Sequence, residues 1–171
     1  HCISSAASDV YKRQFPLLSL AIWVPIAFGV FVLAFGRDAN PNAVRAASLI
    51  GAIASFLVTL PIVAKFDNAA HGMQFVEKLK WIDIFNINYS LGVDGLSMWF
   101  VILTAFITIF VVIAAWEVIE KRVAQYMGSF LILSGLMIGV FCALDGLLFY
   151  VFFESTPVSY THLRAHETRE D

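Results

Sequence analysis

Residues 145–154 read Asp145-Gly-Leu-Leu-Phe-Tyr-Val-Phe-Phe-Glu154: eight uncharged residues, four of them aromatic, run straight into a carboxylate. A helix starting near Asp145 rises about 1.5 Å per residue, which carries Glu154 roughly 13 Å along its axis. The hydrocarbon core of a bilayer is about 30 Å thick, so that depth is close to its middle. A carboxylate there costs at least ~2.5 kcal/mol on insertion scales, and such residues mark ion or proton pathways by default. The competing reading is a helix that stops short, with Glu154 capping or snorkelling at the far interface.

The composition around this stretch points to a membrane protein. Hydrophobic residues make up 60% of the 171 and charged ones 14%, with mean hydropathy at +0.80. Soluble domains carry about 25% charged residues. The formal net charge of −2 indicates no partner, and no basic patch suggests nucleic acid. Cys2 and Cys142 make no disulfide framework, and Cys142, inside an apolar run, reads as a small packing residue. Three histidines (His1, His162 and His166) lie in the tails and His71 stands alone in a loop, so no metal-ligand cluster is expected.

Charge-free runs divide the chain into an all-α, polytopic membrane protein with four complete spans and the start of a fifth. The first run is Phe15–Gly36, the second Ala46–Ala64, the third Leu96–Trp116 and the fourth Val123–Leu144. Each approaches or exceeds the ~20 residues that a crossing needs. They predict helices near 16–36, 45–65, 95–116 and 124–144, then a fifth beginning near 146. Trp23, several residues in from the end of its run, reads as a packing residue rather than an interface anchor. Gly135-Leu-Met-Ile-Gly139 predicts a close helix–helix approach. Between Lys65 and Gly95, the β-branched and aromatic run 81–91 predicts two short strands or an extended hairpin on the membrane surface. Asp94, just before an apolar run, reads as a helix N-cap. The short connections 37–45 and 117–122 are denser in Lys and Arg than the long one, which puts them in the cytoplasm and the N-terminus outside.

The two ends differ in character from everything between. Residues 1–14 and 155–171 look like translated adapter sequence: polar, histidine-bearing segments, the second following an unfinished membrane helix and carrying Pro157. They are expected to be non-native tails around a transmembrane module, 15–154, and to make few contacts with it.

Three separated motifs carry a family resemblance. Phe15-Pro-Leu-Leu-Ser-Leu-Ala-Ile-Trp-Val-Pro-Ile26 resembles the start of the subunit M (chain 4) family of NADH-quinone oxidoreductase, respiratory complex I. Tyr89-Ser-Leu-Gly-Val-Asp-Gly-Leu-Ser97 is similar to the lead into that family's third helix. Leu136-Met-Ile-Gly-Val-Phe-Cys-Ala-Leu-Asp145 followed by Leu148-Phe-Tyr-Val-Phe-Phe-Glu154 resembles its fourth and fifth helices.

The resemblance implies a subunit of about fourteen helices in two inverted repeats, of which this chain reaches only the first. It implies proton translocation coupled to electron transfer from NADH to quinone in other subunits, which hold the NADH, FMN, iron–sulfur and quinone sites. This subunit would carry no cofactor, and its partners would be the lipid bilayer and the other membrane subunits. It would lie in the bacterial inner membrane with its N-terminus on the periplasmic side. Glu154 matches the family's fifth-helix glutamate, which pairs with a lysine two helices later, beyond this chain. Asp145 is a second candidate. A polypeptide ending as this one does would be inactive alone. Two further readings stay open: a cation/proton antiporter subunit of the same superfamily, and a structural membrane protein with no transport chemistry. The neighbouring genes and an intramembrane lysine further along the full gene would separate them.

Overall fold

The computed structural model describes residues 16–36, 40–67, 73–82, 87–119 and 122–167. In chain order these form α1 (Leu17–Phe35), α2 (Pro41–Ala64), β1 (Gln74–Ile82), β2 (Ile87–Val93), α3 (Gly95–Val118), α4 (Val123–Cys142) and α5 (Gly146–Glu167). Four of them, α1 to α4, are long and apolar enough to cross a membrane, and α5 is apolar over Gly146–Val158. The chain is a multi-pass membrane protein of the expected class.

Several boundaries differ from those the charge-free runs predict. The second helix starts at Pro41, with Asn40 as its N-cap residue and proline in its first turn. Proline is pre-organised for the first helical position, where its missing N–H costs nothing, so much of the connection 37–45 is already helix. The third helix runs on to Val118, which takes Glu117 into its last turn. Glu120 and Lys121 of the charged connection lie outside the described residues, as do residues 1–14, His71 and residues 83–86. The strands are present, but they cover 74–82 and 87–93, so the run 81–91 takes in only the end of the first and most of the second. None of the first strand's described side chains is fully buried, and Lys78 and Leu79 are exposed, so no hydrophobic pattern announces it.

The fifth helix passes Pro157 without a break and ends at Glu167. Proline removes the donor that Phe153's carbonyl would use. Just before it, the Ser155 and Thr156 hydroxyls donate to the carbonyls of Val151 and Phe152 at 2.7 and 3.0 Å.

The fourth helix lies at the centre of the bundle: 56% of its membrane window is buried inside the chain, against 33% for each of the other three spans. Lipid tails are as apolar as leucine, so helices in a bilayer associate through close packing rather than through burial from water. The sequence supplies that packing with glycine. A Cβ at Gly128 would sit 2.8 Å from the carbonyl oxygen of Gly29, and one at Gly135 would sit 2.8 Å from that of Ile22. Both clashes are with the backbone of α1, so the two helices touch main chain to main chain. Gly139 faces a different helix, since a Cβ there would meet the Phe152 ring of α5 at 2.9 Å. The Gly135–Gly139 motif is therefore a packing face, as expected, but it serves two partners, α1 and α5.

A buried hydroxyl pair adds a polar link inside the bundle. Thr108 Oγ1 donates to Thr104's carbonyl at 2.7 Å, which leaves the Ser134 hydroxyl to donate across from α4 to Thr108 at 2.7 Å. Trp23 does not pack into this bundle: it is 53% exposed, one position round from the buried Ala21, Ile22 and Pro25 that face it.

The glycine contacts set a stability test. Gly128→Val should destabilise the bundle by about 1–3 kcal/mol, the usual cost of overpacking. Gly146→Ala, with nothing within 4 Å of the new methyl, should change stability by less than about 0.5 kcal/mol. Equilibrium unfolding in mixed micelles measures both.

Candidate functional site

The aspartate that opens the fifth helix is fixed by local chemistry. Asp145's carboxylate accepts the Leu147 N–H at 2.9 Å, and its carbonyl accepts the Phe149 N–H at 2.9 Å. Both bonds are those of an N-cap, which satisfies donors that the first turn of a helix leaves free. Asp94 does the same for α3, accepting the Ser97 N–H at 2.7 Å. That bond holds the Asp94 carboxyl below its ordinary 3.8, because it favours the charged form.

Leu148 and Phe152 are the buried residues of α5's apolar half. The Phe152 ring fills the notch at Gly139. Glu154 follows two residues later, about 200° further round the helix at 3.6 residues per turn. It is exposed, on the side of α5 turned away from α4. Tyr150, four residues earlier, is 57% exposed on the same side. Phe149 and Phe153 lie next to it, stacked at 5.9 Å with planes 10° apart.

The third and fourth helices do not shield Glu154, because Gly139 draws the Phe152 side of α5 onto α4 and turns the opposite side outward. Nor does a hydrogen bond join Tyr150 to Glu154 among the described residues; the two share a side of the helix without meeting. The structure does not bring Asp145 and Glu154 together: one caps the helix start and the other stands nine residues on. Among the described residues, no group of three or more His, Cys, Asp or Glu side chains could hold a metal ion. Cys142 is buried in the core cluster that joins all five helices and the hairpin.

One carboxylate escaped the sequence reading. Glu77, on β1, accepts the backbone N–H groups of Leu18 at 2.9 Å and Ser19 at 3.2 Å, and the Ser19 hydroxyl as well. Ser19 Oγ in turn lies 3.4 Å from the Tyr89 hydroxyl of β2. The first helix opens on Pro16, which offers no side-chain cap, so its free N–H groups require an acceptor from elsewhere in the chain. That missing cap was the available signal, although it could not say which acid would supply the bond.

Comparisons with known proteins agree with this architecture. A family profile described as "NADH-ubiquinone oxidoreductase chain 4, amino terminus" matches residues 49–143. The chain belongs to this family. It is 46% identical over 142 residues to NADH-quinone oxidoreductase subunit M of Rhodobacter capsulatus, covering 81% of this chain and 27% of the relative. It is 41% identical over 141 residues to NADH-ubiquinone oxidoreductase chain 4 of Arabidopsis thaliana, covering 82% and 28%. Among solved structures, a chain of respiratory complex I from Thermus thermophilus with bound NADH superposes with a TM-score of 0.67 at 29% identity, covering 83% of this chain and 27% of that one. The chain thus spans little more than a quarter of the length of these relatives.

The caps provide a pH test. Asp94's folded-state pKa is lowered, so its contribution to stability is fully present above 3.8 and is lost as pH falls through the folded value. Asp94→Ala should cost about 1 kcal/mol at neutral pH. The difference from the parent chain should shrink as unfolding is followed down through the carboxylate range. A gap that stayed constant down to the lowest pH would show that the charge adds nothing to the cap.

Proposed function

We propose that this chain is the N-terminal transmembrane module of a proton-translocating membrane-arm subunit of NADH:quinone oxidoreductase. The observation that carries the proposal is Glu154: an exposed carboxylate on an apolar helix, on the side turned away from α4, in a member of the chain 4 family. A carboxylate in a bilayer is retained where it pairs with another group or with a water-filled path. The rest of the subunit, which the chain does not span, would supply that partner as a lysine two helices on. Burial by the added helices disfavours the charged carboxyl and the cation favours it, so the carboxyl can load and release a proton.

Each residue near the site has its part in this reading. Phe152 in the Gly139 notch fixes the rotation of α5 and so the side on which Glu154 emerges. Asp145 anchors the helix start, which keeps Glu154 at a set depth. Redox cofactors belong to other subunits, and the subunit's partners are those membrane subunits and the lipid around them. Residues 15–154 form the working module, and 1–14 and 155–171 are foreign to it, so that the chain alone is inactive. The denser Lys and Arg of the short connections support an N-terminus on the periplasmic side of a bacterial inner membrane. The chain 4 profile and the subunit M relatives favour this reading over a cation/proton antiporter subunit.

The test uses the intact subunit in the assembled complex. Glu154→Gln keeps size and hydrogen bonding but removes the titrating proton, and should cut proton uptake by about a hundredfold or more, the lower end of what one proton-transfer group supplies. NADH oxidation coupled to it should fall too, with assembly unchanged. Glu154→Asp should keep part of the activity. Asp145→Asn, which retains a capping oxygen, should lower it by less than about twofold. Proton uptake and NADH oxidation in membrane vesicles at matched assembly measure all three, and normal pumping by the Gln variant would leave only a structural role.

A further inference from the structure

The hairpin ties together two places that are far apart in sequence. At one end, Glu77 closes the free N–H groups of α1. At the other, β2 holds the turn between α4 and α5: the Leu144 N–H donates to Ser90's carbonyl at 2.9 Å, and Leu91 bridges Ala143. Glu77 and Leu91 are direct partners across the two strands. A bulge at Phe75 and Val76, which together oppose Gly92, immediately precedes Glu77, and Phe75 takes the left-handed φ of 54°. Bulges bend a strand and re-aim the side chains beside it. The strand passes close to the α4–α5 turn there, since a Cβ at Gly92 would lie 2.8 Å from Leu144 Cδ1. One continuous set of bonds therefore runs from the start of α1, through Glu77, Leu91 and Ser90, to the residue before the Asp145 cap.

This link bears on Glu154. The apolar half of α5 buries Leu148 and Phe152, so its placement rests on the Gly139 notch and on the turn from which it starts. We propose that Glu77 is a positioning residue: by locking the hairpin to α1, it fixes the start of α5 and with it the depth and direction of the Glu154 carboxyl. The proposal rests on the proton-carrying reading of Glu154. Glu77 does not touch the proton's path; it acts through the ladder. A carboxylate suits the task because two oxygens accept from two adjacent N–H groups and a hydroxyl, and its charge favours the positive end of the helix dipole. Glutamine at this position has one acceptor oxygen and an NH2 that cannot receive an N–H.

The experiment uses the intact subunit in the assembled complex, with spin labels at Leu79→Cys on β1 and Leu147→Cys on α5, both exposed positions. Glu77→Gln should broaden the label–label distance distribution. It should also lower proton uptake per NADH by roughly two- to thirtyfold, the range for residues that act through others, and move the pH profile of uptake. Ser19→Ala, which removes only the hydroxyl bond, should do the same to a smaller degree and serves if the Gln variant fails to assemble. Glu77→Asp should recover part of both effects. Unchanged distances in Glu77→Gln and Ser19→Ala would overturn the positioning role, and so would broadened distances with an unmoved pH profile. If Glu154→Gln itself pumps normally, the reading of Glu154 is lost, while the label distances still decide whether Glu77 holds the start of α5.

Discussion

The structure depends on a backbone-to-backbone contact. Gly29 and Gly128 allow α1 and α4 to approach until each glycine's missing Cβ would strike the other's carbonyl, and Gly135 extends the seam towards Ile22. In lipid there is no burial from water to gather helices, so such contacts decide which helix is central. With α1 locked on one side, α4 offers Gly139 on another, and Phe152 seats there. The rotation of α5 follows from that ring, and the outward direction of Glu154 follows from the rotation. Four helices of ordinary apolar sequence thereby acquire one carboxylate with a defined bearing.

The polar bonds work at the two ends of this frame and at its middle. On one side of the membrane, Glu77 supplies the cap that Pro16 cannot, and the hairpin's other strand holds the α4–α5 turn. On the opposite side, Arg45, near the start of α2, donates to the carbonyl of Ile119 at 2.8 Å and so closes a free acceptor at the end of α3. Between them, the Thr108–Ser134 pair joins α3 to α4 with both hydroxyls buried. Each bond satisfies a group that a low-dielectric surround would otherwise penalise by kilocalories.

What could be read in advance followed the range of the interaction. The four spans were legible because a charge-free run of membrane length has few other uses. The Asp94 cap was legible because donor and acceptor are three residues apart. The start of α2 was missed because polar residues around Pro41 read as loop, although proline belongs in a first turn. Glu77 was missed because its partners lie 58 and 59 residues away, and nothing in the local pattern of β1 distinguishes it from a solvated strand residue. Glu154 stands out in the sequence as a carboxylate at the end of an apolar run, but its bearing was not legible. That bearing depends on which side of α5 meets Gly139, a matter of packing between helices.

The central claim is that Glu154 changes its protonation as the complex works. Infrared difference spectroscopy of the reconstituted complex, comparing resting and NADH-driven states, observes a carboxyl gaining or losing its proton directly. The account predicts a carboxyl band that shifts on labelling glutamate with carbon-13 and vanishes in Glu154→Gln, while the rest of the difference spectrum persists. Identical difference spectra for the parent and the Gln variant, at equal rates of NADH oxidation, would contradict it.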